Sequence, residues 1–282
     1  MGQRRTIRDS RILITGASQG IGRSLSLRAA AAGARVLATA RSAELLRSLQ
    51  SDVETAGGRI DVLQADVTSA DDRRAMVAAA QSRLGGLDIL INNAGIGATG
   101  HFAEASEDRL RSIFEVNFFG LAELTRLAIP LLKQGQKPAV VNISSIVGKR
   151  GLPGRSEYSA SKFAVQGLSE ALRGELSLFG IDVLVVNPGL TQTSFPDNML
   201  ERKSRLQVDH MRGMSADEAA ARTLRAIERG TNEVTFTGAG KLFVFVSRFF
   251  PRLVDRIVAR RVRRLYRDAP LPTESEKSVD SH

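Results

Sequence analysis

The chain of 282 residues contains no cysteine, which excludes disulfides, thiolate metal sites and a cysteine nucleophile. Tryptophan is absent and tyrosine occurs twice, so phenol chemistry must fall on Tyr158 or Tyr266. The three histidines, His101, His210 and His282, are scattered without metal-ligand spacing, and no metal site is expected. No apolar run reaches the ~18 residues that would span a membrane. Arg4, Arg5 and Arg8 precede no apolar stretch before Ile12-Leu13-Ile14, so no signal peptide is read there and a cytoplasmic location is expected. The length suits one large α/β domain. A hydrophobic content of 43% with 25% charged residues suits a globular chain with a substantial core.

Charge is the one unusual quantity. The formal net charge is +10, and it is unevenly placed. Residues 1–10 carry +2, residues 11–240 carry +3 and the last fourteen carry −2, whereas the stretch from Lys241 to Asp268 carries +7. A nucleic-acid-binding protein of the usual kind spreads a basic face over its main domain; this distribution makes nucleic acid an unlikely partner.

Short apolar segments alternate with longer segments of helical spacing. Ile12–Thr15, Arg35–Thr39, Asp61–Gln64, Leu87–Asn92, Ala139–Ser144 and Asp182–Asn187 read as strands, several of them apolar on both faces, as in a parallel sheet covered on each side. Gly22–Ala32, Ala43–Ala56, Ala70–Leu84, Glu107–Lys133 and Ser156–Phe179 read as helices. The alternation predicts βαβ crossovers and a single doubly wound α/β sheet with helices on both faces. Residues 269–282, rich in Pro, Ser, Thr and acid, are expected to be disordered.

The first strand runs into Gly16-Ala17-Ser18-Gln19-Gly20-Ile21-Gly22. A strand feeding a glycine turn that opens a helix makes a phosphate cradle, because glycine permits close backbone approach and the helix N-terminus offers N–H groups. The spacing G-x-x-x-G-x-G departs from the general fingerprint, and a turn that merely needs glycines is the competing reading. The second strand ends Ala38-Thr39-Ala40-Arg41-Ser42. An acidic residue at its end would grip the ribose hydroxyls of NAD. Ala40 removes that carboxylate, and Arg41 offers a fork for a 2′-phosphate, so NADP(H) is expected over NAD(H). A solvated surface arginine is the alternative in a chain with 33 Arg and 7 Lys.

Thirteen residues past Ser145 comes Tyr158-Ser159-Ala160-Ser161-Lys162. Tyr158 and Lys162 share a helix face at i and i+4. An ammonium beside the phenol would pull it from its ordinary pKa near ~10 toward working pH. Ser145 could hydrogen-bond a substrate oxygen while Tyr158 passes the proton, general acid–base work beside a hydride carrier.

These segments together resemble the short-chain dehydrogenase/reductase family, with its motifs in order over about residues 11–240. The resemblance implies a Rossmann fold and carries family roles onto matching positions. Gly16, Ser18, Gln19, Gly20, Ile21 and Gly22 would form the cofactor's glycine loop. Asp66 and Val67 match the segment that contacts adenine, and Asn93-Ala94-Gly95 lies in the motif Asn92-Asn93-Ala94-Gly95 that steadies the sheet beside the cofactor. Asn117 matches the asparagine that holds a proton-relay water. Ser145, Tyr158 and Lys162 match the catalytic set, with Lys162 also binding the nicotinamide ribose. Pro188, Gly189, Thr191 and Thr193 match the segment that grips the carboxamide, Thr191 standing where an aliphatic residue is usual. Hydride transfer between nicotinamide and a carbonyl or alcohol is the implied chemistry, and a homodimer or homotetramer built on the helices at 107–133 and 156–179 the implied assembly. A catalytically retired member serving as a cofactor-binding or membrane-surface scaffold is the alternative; retention of Asn117, Ser145, Tyr158 and Lys162 argues against it.

Between Thr191 and Ser215, where the family carries a lid, Ser194, Phe195, Pro196, Met199, Leu200, Met211 and Met214 suggest a lipophilic substrate, with Phe102 and Leu152 adding to the wall. Packing of the lid on the core would use the same residues. Pro251 suits a helix start, followed by the stripe Leu253, Val254, Ile257, Val258, Val262, Leu265 and Tyr266 beside Arg252, Arg256, Arg260, Arg263, Arg264 and Arg267. The segment 241–268 is therefore expected to form a basic amphipathic extension to a domain at 1–240. It would meet an anionic membrane surface or pack on its own domain or a sister subunit.

Overall fold

In the computed structural model, residues 2–204, 213–265 and 267 are described. Seven parallel strands form the central sheet: β1 (Arg11–Thr15), β2 (Arg35–Ala40), β3 (Asp61–Gln64), β4 (Ile89–Asn92), β5 (Ala139–Ile143), β6 (Asp182–Asn187) and β9 (Glu233–Thr235), in the order β3-β2-β1-β4-β5-β6-β9. The doubly wound α/β sheet expected from the alternation is the fold observed. Strand alternation sorts the core into two layers. Ile12, Ile14, Ile89, Ile91, Val141, Leu184 and Val186 face one way, against α1 (Gly20–Ala31), α2 (Ala43–Thr55) and α7 (Ala216–Glu228). Leu13, Leu90, Val140 and Val183 face the other way, against α3 (Ala70–Ala79) and α5 (Gly120–Leu132). Both faces are buried, which is why the strands read as nearly unbroken apolar runs.

The observed elements depart from the expected ones in informative places. The helix expected over Glu107–Lys133 is three pieces: α4 (Glu107–Phe114), a π-helical turn Glu115–Phe119, and α5. The turn holds Asn117, and Gly120 just after it runs so close to β3's exit that a Cβ there would lie 2.8 Å from the Val67 carbonyl. Ala70–Leu84 likewise passes from α3 into a π turn Ala80–Leu84, stopped by Gly85 at φ 74°. The Ser156–Phe179 helix is α6 (Ser156–Glu175) ending in a tighter 3-10 turn.

The sequence reading omitted α7 and β9. The first carries a readable start, because Ser215 caps it by accepting from the Glu218 N–H at 3.0 Å, the S-x-x-E pattern of a capping box. The second is three residues long and is defined by its pairing with β6. Beyond it come α8 (Gly238–Phe249) and α9 (Pro251–Leu265), and the helix expected to begin at Pro251 does so. Tyr266 and the tail 269–282 lie outside the described residues.

At the edge of the sheet where the strands begin, Asp88 fastens three segments. Its carboxylate accepts from the Arg11 backbone N–H, from the Arg11 guanidinium at 2.6 and 3.0 Å, and from the Gln136 N–H at 2.7 Å. Burial alone would raise this carboxyl, but the hydrogen bonds from Arg11 and Gln136 hold it below its ordinary 3.8. A carboxyl depressed in the folded state lends stability that is full above its unfolded pKa and is lost as pH falls through the folded one. Asp88→Asn should therefore cost about 2–3 kcal/mol at neutral pH. In urea titrations the gap to the unsubstituted protein should close as pH falls below 3.8; a gap that is constant with pH would show that the charge contributes nothing.

Candidate functional site

The carboxyl ends of the strands open onto one crevice, a cavity of about 790 Å³ that runs from Arg41 to Phe243. Its position beside β1 and β4, where the strand order reverses, is where open α/β sheets bind ligands. Gly16 and Gly20 turn the chain with φ of 63° and 54°, conformations that favour glycine. Behind them Gly22 admits the chain at close quarters: a Cβ there would lie 2.2 Å from the Gly16 carbonyl oxygen and 2.4 Å from the Asn93 amide nitrogen. Asn93 Nδ2 donates to the carbonyls of Thr15 and Gly16, each at 3.0 Å, while Thr15 Oγ1 accepts from the N–H groups of Asn93 and Ala94 at 3.1 Å. The exits of β1 and β4 are thereby tied together, leaving Ser18, Gln19 and Ile21 on the crevice wall.

Farther along the wall, Arg41 follows β2 with its side chain exposed, and among the described residues it has no ion-pair partner. No carboxylate stands at the end of that strand. Asp66 and Val67 line the crevice after β3, and Asp66 Oδ1 accepts from the Thr68 N–H and hydroxyl at 2.9 Å.

At the other end, α6 carries Tyr158 and Lys162 onto the wall, and the loop after β5 brings Ser145. The Ser145 hydroxyl accepts from the Val147 N–H at 3.3 Å and lies on the same wall as the Tyr158 phenol. Lys162 is buried and donates from Nζ to the Ile143 carbonyl at 2.9 Å, with Nζ 5.8 Å from the Tyr158 ring centre. The expected lowering of the phenol by Lys162 is not found among the protein groups. Burial pushes Tyr158 above its ordinary 10, opposed by the nearby Ser145 hydroxyl and the charge of Arg155. Burial pushes Lys162 down to about 8. The Lys162 Nζ is turned toward the Ile143 carbonyl and away from the phenol oxygen's first contacts.

Two expected site residues stand behind the wall. Asn117 is fully buried and its side chain is committed: Oδ1 accepts from the Ile96 N–H at 2.8 Å, and Nδ2 donates to the Ile96 carbonyl and the Ser161 hydroxyl. Gly22 is the other, packed as described. Gly95, Pro188, Gly189, Thr191 and Thr193 all line the crevice. Of the expected substrate-wall residues, Leu152, Ser194, Phe195 and Met214 are in place, and the Phe195 ring lies 5.5 Å from that of Tyr158. Phe102 is 60% exposed and Met199 and Leu200 also stand off the wall, while Met211 lies outside the described residues. A two-stranded ladder of β7 (Thr191–Gln192) and β8 (Met214–Ser215) closes the base of this segment.

Two wall features escaped the sequence reading. Arg155, the N-cap of α6, lies three residues before Tyr158; burial pushes its guanidinium below the ordinary arginine value and the Tyr158 phenol opposes the shift. The second is the start of α8, where Thr237, Ala239, Gly240 and Phe243 line the crevice. Thr237 caps that helix by accepting from the Gly240 N–H at 3.1 Å. Among the described residues no group of three metal-ligating side chains occurs, and no helix is long and apolar enough to cross a membrane.

A lysine depressed in the folded state releases its proton before the unfolded chain does, so stability rises with pH between about 8 and the ordinary 10.5. Between about pH 7.5 and about pH 9.5 the protein should gain about 2 kcal/mol relative to Lys162→Met in urea unfolding. A parallel course of the two would mean that Lys162 titrates normally.

Comparison with known proteins matches this geometry. The family model described as short chain dehydrogenase covers residues 10–204. A ketoacyl reductase, HetN, of a Nostoc species is 34% identical over 89% of each chain. A 3-ketodihydrosphingosine reductase of Bacteroides thetaiotaomicron is 36% identical over 77% of this chain and 76% of its own. A short chain dehydrogenase of Burkholderia cenocepacia, solved with NADP, superposes with a TM-score of 0.74 at 29% identity, covering 84% of this chain and all of its own. The fold is also that of a Burkholderia phymatum family member solved with NAD, with a TM-score of 0.80 at 23% identity over 88% of this chain and 96% of its own. With the crevice at the strand ends and the family pattern running from β1 past β6, the chain belongs to the short chain dehydrogenase family of oxidoreductases.

Proposed function

We propose that the protein is an NADP(H)-dependent oxidoreductase that interconverts a lipophilic ketone and its secondary alcohol, with Tyr158 as general acid and base. The observation that carries this reading is the placing, in one crevice, of an exposed Arg41 at the nucleotide end and of Ser145, Tyr158 and Lys162 at the other. The crevice suits a dinucleotide: a glycine turn at positive φ, a helix N-terminus for a pyrophosphate, and Arg41 where a 2′-phosphate would lie. Gly16 to Ile21, Asp66, Val67, Asn93 to Gly95, Lys162 and the Pro188–Thr193 segment would hold it. The nicotinamide supplies or accepts the hydride.

Within the protein, the Ser145 hydroxyl would fix the substrate oxygen, and the Tyr158 phenol would give that oxygen its proton as the carbonyl carbon gains hydride. Alcohol oxidation returns the proton to the tyrosine. A phenol raised by burial stays protonated at working pH, which suits it to reduction as an acid. Asn117 would act as a positioning residue, since its amide clamps the Ile96 backbone beside Gly95. The wall of Ile96, Leu152, Leu190, Phe195, Met214 and Phe243 favours an apolar substrate, and two relatives are named for keto compounds. The protein would assemble as a homodimer or homotetramer through the helices spanning 107–133 and 156–179, where Phe119, Phe163, Leu178 and Phe179 stand exposed.

With NADPH and a panel of ketones, Tyr158→Phe should lower kcat about a hundredfold or more while leaving NADPH binding intact. Undiminished turnover would remove the phenol from the reaction. Arg41→Ala should raise the Kd for NADPH about tenfold to a hundredfold, the worth of charged hydrogen bonds, and leave NADH nearly unchanged. Equal weakening of both would withdraw the NADP preference.

A further inference from the structure

The last two helices present an apolar ridge that none of the described residues covers. On α8, Leu242, Phe245 and Phe249 repeat at i, i+3 and i+7; Phe250 stands at the junction, and Leu253 and Ile257 follow on α9 at i and i+4; all six are more than half exposed. The Phe245 and Phe249 rings lie against one another at 4.6 Å. Val254 of α9 faces the body, with Leu253 and Ile257 flanking that contact. Eight basic residues, Lys241, Arg248, Arg252, Arg256, Arg260, Arg261, Arg263 and Arg264, accompany the ridge against one carboxylate, Asp255. That carboxylate is engaged by Arg150. None of the eight has an ion-pair partner among the described residues.

The helix pair is fixed to the crevice. A Cβ on Gly240 would lie 2.3 Å from Ile146, the residue after Ser145, so α8 starts in close contact with the catalytic loop. Phe243 lines the crevice one residue from the exposed Leu242, and Arg150, bound to Asp255, lies in the loop that follows Ser145.

We propose that α8 and α9 dock the protein on an anionic bilayer and set the mouth of the crevice against it, so that a bilayer-dissolved ketone enters past Phe243. A ridge of phenylalanine and aliphatic side chains flanked by arginines matches a leaflet with an apolar interior and an anionic surface. A second copy of this chain fits the ridge poorly. A twofold contact apposes a patch with itself and would bring two such basic stretches together. Delivery of the ketone rests on the reductase reading; docking does not.

Flotation of the full-length protein with vesicles of phosphatidylcholine alone, or with a third phosphatidylglycerol, separates the cases. Binding is expected on the anionic vesicles and should weaken steeply with salt. Each basic side chain near such a surface strengthens partitioning about fivefold. The triple change Arg252→Gln, Arg256→Gln and Arg260→Gln should then lower it about a hundredfold, and Phe245→Ser with Phe249→Ser should lower it at least as far. Both variants should keep their turnover of a water-soluble ketone, and a folded variant is recognised by an unchanged far-ultraviolet spectrum. Anionic vesicles should raise turnover of a long-chain ketone in the unsubstituted protein and not in the variants. Equal partitioning of all three proteins, or no binding to anionic vesicles, overturns docking. So does failure to float coupled with dissociation of an oligomer by the phenylalanine changes, which would make the ridge a subunit interface. Docking without stimulation overturns delivery, and absence of any ketone turnover counts against the reductase reading while leaving flotation to decide the surface.

Discussion

The structure depends on how closely two strand exits can approach. Asn93 reaches from the end of β4 to the carbonyls of Thr15 and Gly16 at the end of β1, and Thr15 returns the contact through its hydroxyl. The approach is possible because Gly22 brings no side chain into the gap. Once those ends are joined, the adjacent exits of β2 and β3 bring Arg41 and Asp66 to one side of the crevice, while β5 and β6 bring Ser145 and Pro188 to the other. A polar chain repeats the principle one layer deeper: Asn92 donates to Asn142 and to Thr125, and Asn142 donates to Ser169 on α6, all at 2.9 Å. The catalytic helix is thus referenced to the sheet through hydrogen-bonded buried amides, which fix register at a cost in desolvation that apolar contacts would not carry; Asn92 Oδ1 has no partner among the described residues.

Burial acts in opposite directions on the two groups that matter most. It raises the Tyr158 phenol and lowers the Lys162 ammonium, so both are pushed toward their neutral forms. With a pKa of about 8 Lys162 still carries most of its charge at neutral pH, so burial weakens that charge without removing it. Arg155 stands in the same wall and is lowered by the same burial. A second layer of charge holds the helix from outside: Arg109 is buried against Glu157, the residue before Tyr158, and also bonds Glu201 at the far side of the substrate segment. Breaking a buried pair of that kind leaves an uncompensated charge, which makes Arg109 a structural tie between α4, α6 and the substrate segment.

What could be read in the sequence was whatever is encoded contiguously. The glycine loop, Asn93-Ala94-Gly95, and the Tyr158/Lys162 pair each fall within a few residues, and the structure brings them to one crevice. The six strands read from apolar runs are all present, because a strand buried on both faces leaves an unbroken signal. Features set by distant partners were silent. β9 is three residues that become a strand by lying beside β6, and the π turn at Glu115–Phe119 breaks a helix whose sequence spacing gives no warning. Spacing brings Lys162 near Tyr158, but its orientation toward the Ile143 carbonyl is a tertiary fact.

Charge and structure divide the chain at different places. Composition draws a line at Lys241, where the basic stretch begins, yet α8 runs from Gly238 to Phe249 without interruption, and its first turns are crevice wall. Val254 and Ser247 are buried against the body, and Arg150 holds Asp255. A segment that supplies a wall cannot be an independent appendage: whatever shifts the exposed ridge of α8 and α9 also shifts Phe243 and, through Gly240 and Ile146, the loop that carries Ser145. Cutting at residue 240 would therefore open the crevice as well as remove the arginines. The two effects can be separated only by changing exposed side chains while leaving the helices in place.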